Sequence, residues 1–334
     1  MDPNTLLGGF IGIAGALLGA VIGAVVQYWL EGKREQRRLG FETGQERERV
    51  RREQYRIALE YHKTPVSLRG FDLSGRNLRG IDLYQADLQG ADLCGADLRA
   101  ANLEFADLKD ATLDATTQID DKWRLVWEIV NCGAPGRDLR QADLSMANLR
   151  GASLKKADLE TGNLRNALLE GADLETANLG SANLGGAKLQ GANLSRALAP
   201  RARIRDANLQ GAILKNARLE AADMLRADLW MADLRGAVLS GANLARAGMS
   251  GVNFEESDLE GANLEAARLP NANLRGAILR GANLHKADLE GADFTAADLT
   301  DAELRNARVD KKTVMPQGWE DVVASTPMEI HVVE

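Results

Sequence analysis

A run of five-residue repeats dominates this sequence and leaves little freedom in how the chain can fold. Leucines recur at every fifth position from 68 to 113, and a second run of 35 units keeps one phase from Leu139 to Val309. In the second run the residue two before the central one is Ala in 31 of 35 units, and the residue just before it is most often Asp or Asn. A period of five fits neither a helix nor a simple strand, so it indicates a solenoid of stacked units.

The residue types within each unit predict which side chains face inward. Leu fills the centre of the core and Ala its cramped corner, because each unit buries its apolar side only by stacking on the next unit. The Asp or Asn between them points outward and hydrogen-bonds the backbone of a turn. Aromatic residues make up only 4% of the chain, which agrees with a core of stacked aliphatic side chains rather than large rings.

A second period of twenty residues runs through the second block. Two residues after the central position, Gly fills six of the eight positions in one series spaced by twenty, and the two exceptions are Met231 and Asn271. Gly is much rarer at this position in the other units. The bias predicts a coil of four five-residue sides, of which one has its own turn chemistry.

The A(D/N)LXX pattern of these units resembles the pentapeptide-repeat family, and the resemblance covers residues 66–113 and 137–310. The fold that this resemblance implies is an all-β solenoid, a right-handed quadrilateral β-helix with four units in each coil. It implies no enzymatic activity. Some members of the family resemble duplex DNA in charge and shape and bind type II topoisomerases, so the resemblance also brings that function into consideration.

Residues 114–136 interrupt the repeat and read as a short helical insertion. Central positions 113 and 139 are 26 residues apart rather than 25, so the phase moves on by one residue. Asp120 or Asp121 can cap the predicted helix at its start, and Gly133 can end it. We expect the helix to pack on the side of the solenoid or to close an open coil end, with a membrane surface or a partner's groove as alternatives. Four apolar side chains share its predicted face: Trp123, Val126, Trp127 and Val130.

The N-terminal region predicts a membrane anchor. Residues 6–26 contain no charged or polar side chain, and a helix of this length spans roughly 31 Å, the thickness of a bilayer's hydrocarbon core. The positively charged start of a cleaved signal peptide is missing, so we predict a retained transmembrane helix within residues 1–30. Basic residues directly after the span predict that the N-terminus faces out and the repeat domain is cytoplasmic: Lys33, Arg34, Arg37 and Arg38.

Small residues recur every four positions within the predicted span. Gly15, Gly19 and Gly23 form one stripe, and such spacing lets helices approach closely in lipid, so the span is a candidate for self-association. The alternative is that Gly is simply common in membrane helices. Residues 31–65 are dense in charge and predict a helical stalk that holds the repeat domain away from the bilayer.

Residues that carry catalytic or metal-binding chemistry are few and scattered. His62, His285 and His331 fall in the stalk, an outward repeat position and the tail, without the spacing of a metal site. Cys94 and Cys132 are too few for a disulfide framework or a four-thiolate zinc site. We therefore predict a chain that is not an enzyme and has no cofactor and no metal site.

The sequence gives three candidate surface patches, and plain surface variation is the alternative for each. The first is an apolar patch of predicted outward side chains: Leu225, Trp230 and Met231. The second is a group of arginines within residues 195–206: Arg196, Arg201, Arg203 and Arg205. The third is a basic strip on one side of the coil: Lys155, Lys156, Arg196, Lys215, Arg235 and Arg275.

Charge and organisation together favour an interaction scaffold. Residues 136–310 carry 22 basic and 24 acidic side chains, whereas a mimic of duplex DNA needs a strongly acidic rod. Residues 311–334 read as a C-terminal cap and tail. We predict a membrane-tethered scaffold that contacts the bilayer through residues 6–30, binds a protein partner and self-associates, with nucleic acid not expected. An oligomeric membrane effector or pore is the alternative, and a DNA-mimic inhibitor or protector of a type II topoisomerase is a further one.

Overall fold

Parallel pairing at a spacing of twenty residues defines the repeat domain. The computed structural model of the chain describes residues 66–321 and 331–333. Parallel bridges join the residue before each central position to its equivalent twenty residues further on, as from Ser67 to Asp87 and from Asp288 to Arg308. The domain is therefore a β-helical solenoid of four-sided coils, which confirms the fold expected from the two periods. We name the sides by their first central residues in the second block: side A from Leu139, B from Leu144, C from Leu149 and D from Leu154.

The core is the column of central residues and the alanines beside them. Leu154 and Ala157 are fully buried, and side D also accommodates Phe254 and Phe294, both 0% exposed. Each fully buried Leu or Phe contributes about 1.5–3 kcal/mol relative to an exposed one. Because the same contact repeats in every coil, stacking of aliphatic side chains supplies the core of the domain.

Each unit turns a corner through one repeated arrangement of hydrogen bonds. The N–H of Ala152 donates to the carbonyl of Leu149 at 3.0 Å, and Gly151 between them has a φ of 62°. A positive φ at the third residue is the feature of a type II turn and explains the bias towards Gly at this position. Outward Asp and Asn side chains hold the same corner: Oδ1 of Asn208 accepts from the N–H of Gln210 at 3.0 Å.

Outward amide and carboxylate groups also bond to one another between coils. Nδ2 of Asn193 donates to Oδ1 of Asp173 at 3.1 Å, and Nδ2 of Asn163 donates to Oδ1 of Asp143 at 3.0 Å. The polar position therefore forms a ladder along the outside of the solenoid, parallel to the ladder of leucines inside it.

Helix α1, Asp121–Cys132, takes the place of two sides of one coil. Side A is complete before it, since Asp97 pairs with Gln118, and side D resumes after it, since the N–H of Ala134 donates to Ser153 at 2.8 Å. The three buried side chains of α1 fill the core where sides B and C would have their leucines: Trp123, Val126 and Ile129. The two repeat blocks consequently belong to one compact unit.

The details of α1 differ from the sequence prediction. Its inward face includes Ile129, which the predicted face omitted, whereas Trp127 and Val130 are only half-buried. The reason is that the helix lies against a narrow core and buries residues three apart rather than a broad stripe. Asp120 is the N-cap residue, but its carboxylate accepts from the N–H of Ala100 at 3.3 Å instead of capping α1. Gly133 does end the helix, with a φ of 72°.

The one-residue phase shift is absorbed at a corner by an Asp-x-x-Thr segment. Oγ1 of Thr117, a residue only 4% exposed, donates to the carbonyl of Leu93 at 3.0 Å and accepts from the N–H of Gly95 at 3.2 Å. Oδ1 of Asp114 also accepts from Gly95 at 3.1 Å. These bonds replace the backbone bonds that the extra residue displaces.

The same arrangement recurs at the C-terminal end of the repeats. Oγ1 of Thr313 donates to Leu289 at 3.0 Å, and Gly291 donates to both Thr313 and Asp310. Strand β1, Arg308–Asp310, pairs in parallel with strand β2, His331–Val333, and a 3-10 helix covers Trp319–Asp321.

The predicted transmembrane helix and stalk lie outside the described residues. Among residues 66–321 and 331–333, no helix has the length and apolar character needed to cross a bilayer.

We predict that Thr117→Val destabilises the solenoid by about 1–3 kcal/mol, because it leaves the Leu93 carbonyl and the Gly95 N–H with fewer partners at a buried corner. Thr300→Val is the matched control, since Thr300 is exposed and its hydroxyl donates only to Asp298. Urea midpoints of the two variants measure the difference. Equal losses of stability in both would contradict the role assigned to the buried hydroxyl.

Candidate interaction surfaces

Trp230 and Met231 form an apolar corner between sides C and D. Their exposed fractions are 52% and 55%, the largest among the exposed large hydrophobic side chains of the described residues. Gly211 and Gly251 occupy the position of Met231 in the coils on either side. A Cβ atom on Gly251 would lie 2.5 Å from Sδ of Met231, so the absence of a side chain there makes room for the methionine. We call Trp230 and Met231 the apolar corner.

The backbone of the apolar corner is held by both neighbouring coils. Gly211 donates to the carbonyl of Trp230 at 2.8 Å, and Met231 donates to the carbonyl of Ser250 at 3.0 Å. A partner would therefore meet two large apolar side chains on a fixed backbone, so little main-chain conformational freedom is lost on binding.

The third predicted member of this patch lies elsewhere. Leu225 is at the preceding corner, between sides B and C, and is half-buried rather than outward. Ile213, which the sequence reading missed, is 39% exposed on side D and bridges to Asp233, two residues beyond Met231. The sequence indicates this exposure, because Ile213 stands at the outward position where most units have Asp or Asn.

The four arginines of residues 195–206 do not form one patch. Arg196 is at the corner before side A, while Arg201, Arg203 and Arg205 surround side B. Arg205 is ion-paired with Asp223. Within the described part of the chain, Arg201 and Arg203 form no ion pair, so side B presents two unpaired guanidinium groups.

The basic strip is interleaved with carboxylates. Lys155 pairs with Glu175 at 2.5 Å, Arg235 pairs with Asp233 at 2.8 Å, and Lys215 reaches the same Asp233 at 3.3 Å. Arg275 likewise pairs with Asp293 at 3.2 Å. The strip thus offers alternating charge rather than a continuous positive surface.

Helix α1 directs its apolar side towards the chain's own core. Trp123 is 7% and Val126 0% exposed. Trp127 donates from Nε1 to the carbonyl of Ala111 at 2.7 Å, and Nζ of Lys122 lies 4.8 Å from the centre of the Trp123 ring. The Trp127 bond therefore joins α1 to the solenoid, whereas the contact between Lys122 and Trp123 lies within the helix.

Chemistry suited to catalysis or metal binding does not converge in the described residues. No group of His, Cys, Asp and Glu side chains in residues 66–321 and 331–333 has the arrangement of a metal site. Cys94 and Cys132 are free thiols. The Asp92 carboxylate raises the pKa of the Cys94 thiol through a side-chain hydrogen bond, which leaves less of the reactive thiolate at neutral pH.

Three turn carboxylates have pKa values well below the ordinary value of an aspartate. A side-chain hydrogen bond from Arg99 lowers the pKa of Asp97 to about 2, and Arg140 does the same for Asp138. The hydroxyl of Thr116, followed by backbone N–H groups, lowers the pKa of Asp114 to about 2. The ionised carboxylates are therefore part of the folded turns.

We predict that the solenoid loses stability as the pH falls from about 4 to about 2, since the native carboxylates have lower pKa values than unfolded ones and the unfolded chain binds more protons there. The stabilisation by these carboxylates is fully present at pH values above their pKa in the unfolded chain. Urea midpoints at a series of pH values check this. A midpoint that stays constant down to about pH 2 would argue against a role of ionised turn carboxylates.

Comparison with known proteins agrees with this geometry. The family model described as pentapeptide repeats matches in eight copies, over residues 77–114, 138–171, 163–196, 202–241, 226–261, 257–295 and 277–311. The chain belongs to the pentapeptide-repeat family, and its repeat domain is a right-handed β-helix solenoid. No curated protein sequence matches the chain significantly.

Two solved structures illustrate the likeness. HetL, a pentapeptide repeat protein involved in heterocyst differentiation regulation in the cyanobacterium Nostoc sp., is 33% identical, with 74% of this chain and 92% of HetL covered and a TM-score of 0.54. A trypsin-treated form of QnrB1, a plasmid-mediated fluoroquinolone resistance protein, is 17% identical, with 55% and 90% covered and a TM-score of 0.42.

Proposed function

We propose that this chain is a non-enzymatic protein-interaction scaffold, tethered to a membrane and presenting its β-helix to the cytoplasm. The β-helix supplies a long, regular surface of the kind on which solenoid proteins bind partners. The membrane anchor, the stalk and the topology rest on residues 1–65, through the apolar span and the basic residues after it. The likeness to HetL, a protein involved in regulation, supports an interaction role for the repeat domain.

The apolar corner is the observation that carries the proposal. Exposed Trp in a well-ordered setting is the residue type most enriched at binding hot spots. Trp230 and Met231 stand out from a surface whose neighbouring positions hold Gly211 and Gly251, so a partner can reach both side chains from either coil. Ile213 extends the apolar surface onto side D.

Charge pairing on the solenoid weighs against a DNA mimic. Arg226 pairs with Asp206 at 2.6 Å, and Arg280 pairs with Glu260 at 2.8 Å one coil away. Because acidic groups are matched by basic neighbours in this way, the surface lacks the sustained negative potential that imitation of duplex DNA requires.

We predict that Trp230→Glu abolishes partner binding at the apolar corner. A photo-crosslinking residue at position 250, one coil from Trp230, should give a defined adduct in native membranes that contain the full-length chain. The adduct should fall at least tenfold in the Trp230→Glu background, as expected from the loss of a hot-spot side chain worth about 2 kcal/mol or more.

Leu198→Glu is the matched control, because Leu198 is 41% exposed on side A, away from this corner. An adduct that persists with Trp230→Glu, or that Leu198→Glu removes equally, would count against the apolar corner as the binding surface.

We predict that the glycine stripe of the span joins copies of the chain. Light scattering of the detergent-solubilised full-length chain should give a defined oligomer, and Gly19→Ile should convert it to a monomer by blocking close helix approach. Leu17→Ile, which keeps the side-chain volume and lies off the stripe, should leave the oligomer intact. A monomer in all three samples would make the span a tether without an assembly role.

A further inference from the structure

Helix α1 removes one rung from the polar ladder of side C. Asp107 and Asn148 stand at the ladder position in the coils on either side of α1. Successive rungs are twenty residues apart elsewhere on this side, as from Asp87 to Asp107, but Asp107 and Asn148 have no bridge to each other or to a strand between them. The place of the missing rung is an open cavity.

The cavity has a volume of about 220 Å³, room for roughly seven water molecules at about 30 Å³ each. Val130 of α1 forms its apolar wall, and the other lining residues are polar or charged. The full lining is Gln89, Asp107, Lys109, Val130, Asn148 and Arg150.

Asn148 lacks the partner that its ladder position normally provides. It is 7% exposed, and its Oδ1 accepts from the N–H of Arg150 at 3.4 Å. Several ladder asparagines donate from Nδ2 to the rung one coil earlier, as Asn163 does to Asp143 at 3.0 Å. Among the described residues, Nδ2 of Asn148 has no acceptor, because the earlier rung has been replaced by α1.

Positive charge flanks this free amide. Within the described part of the chain Lys109 forms no ion pair, although it lines the cavity with Asp107. Arg150 uses only Nη2 for its ion pair with Glu170, at 3.2 Å. Oδ1 of Asp107 already accepts from the N–H of Lys109 at 3.0 Å. The cavity therefore has more hydrogen-bond donors and positive charge than its single carboxylate satisfies.

We propose that this cavity binds a carboxylate group, which Asn148, Lys109 and Arg150 would hold through charge-assisted hydrogen bonds in place of the missing rung. Two sources share this chemistry: an acidic side chain of a protein partner and a small free carboxylate. The site is four coils from the apolar corner, roughly 19 Å at about 4.8 Å per coil, so it does not depend on that surface.

Calorimetric titration of the full-length, detergent-solubilised chain at constant ionic strength tests the site. The probes are sodium succinate and N-acetyl-glutamate N-methylamide, with N-acetyl-glutamine N-methylamide as the neutral match. We expect saturable binding of at least one carboxylate probe and at least tenfold weaker binding of the neutral one. Tighter binding of the capped glutamate assigns the site to a partner's side chain, and tighter binding of succinate assigns it to a free carboxylate.

Asn148→Leu and Lys109→Met should each weaken binding of the carboxylate probe at least tenfold. The leucine variant should fold, because Leu168 occupies the same position in the next coil and is buried there. Lys188→Met is the control, since Lys188 lies on the same side outside the cavity and should leave binding unchanged. No saturable binding below about 10 mM, equal binding of the neutral probe, or unchanged binding in both cavity variants would overturn the proposal.

Discussion

The hydrogen bonds between successive coils are the constraint on which the rest of the structure depends. Leu149 donates to the carbonyl of Leu168 at 2.8 Å, and Leu168 donates back to Ala147 at 2.9 Å, and equivalent pairs repeat along the solenoid. Each side contributes so few bonds that no single strand is stable alone, and the stacked leucines can lie above one another only when every coil has the same length. An extra residue within a side would turn the central side chain outward.

Departures from the regular coil are therefore accommodated in two ways. Where one residue is added, a buried Thr and an Asp at the corner supply the missing hydrogen bonds, as Thr117 and Asp114 do after the first block. Where the five-residue pattern itself is lost, α1 replaces two sides, and Ala134 resumes side D. The helix can fill the core with Val126 and Ile129, but it cannot supply an outward residue in register with the polar ladder. The cavity beside Asn148 is the consequence of that difference.

The repeat itself was predictable because the same local chemistry recurs in dozens of units, so that single exceptions such as Ala199 do not obscure it. The turn residues at the corners, Gly and the outward Asp or Asn, were predictable for the same reason. The role of α1 was not, since helical spacing identifies an apolar face but not the surface that it contacts, and Val130 and Ile129 compete for the inward position. The Asp-x-x-Thr spacing of Asp114 and Asp310 also occurs at Asp158 and Asp173 within ordinary units, so the sequence alone does not distinguish the two special corners.

The arrangement of the candidate surfaces follows from the four-sided coil. Five residues turn one corner, so Arg196 and Arg201 must lie on different corners although they are neighbours in sequence. The twenty-residue period predicts that the arginines lie on different corners, whereas their proximity in sequence suggests a single patch. Trp230 and Met231 are adjacent in sequence as well as in space, which is why the same reasoning found them.

The apolar corner also departs from the pattern in a way that folding does not explain. In the series that favours Gly, Met231 has a φ of 54° and Asn271 a φ of 57°. Asn tolerates this backbone conformation better than other residues, whereas a methionine there costs roughly 1 kcal/mol or more. Met231 does not regain this cost by burial, since it is 55% exposed. The adjacent Trp230 is exposed as well. An exposed apolar pair that includes one residue with a positive φ is consistent with stabilisation supplied by a bound partner.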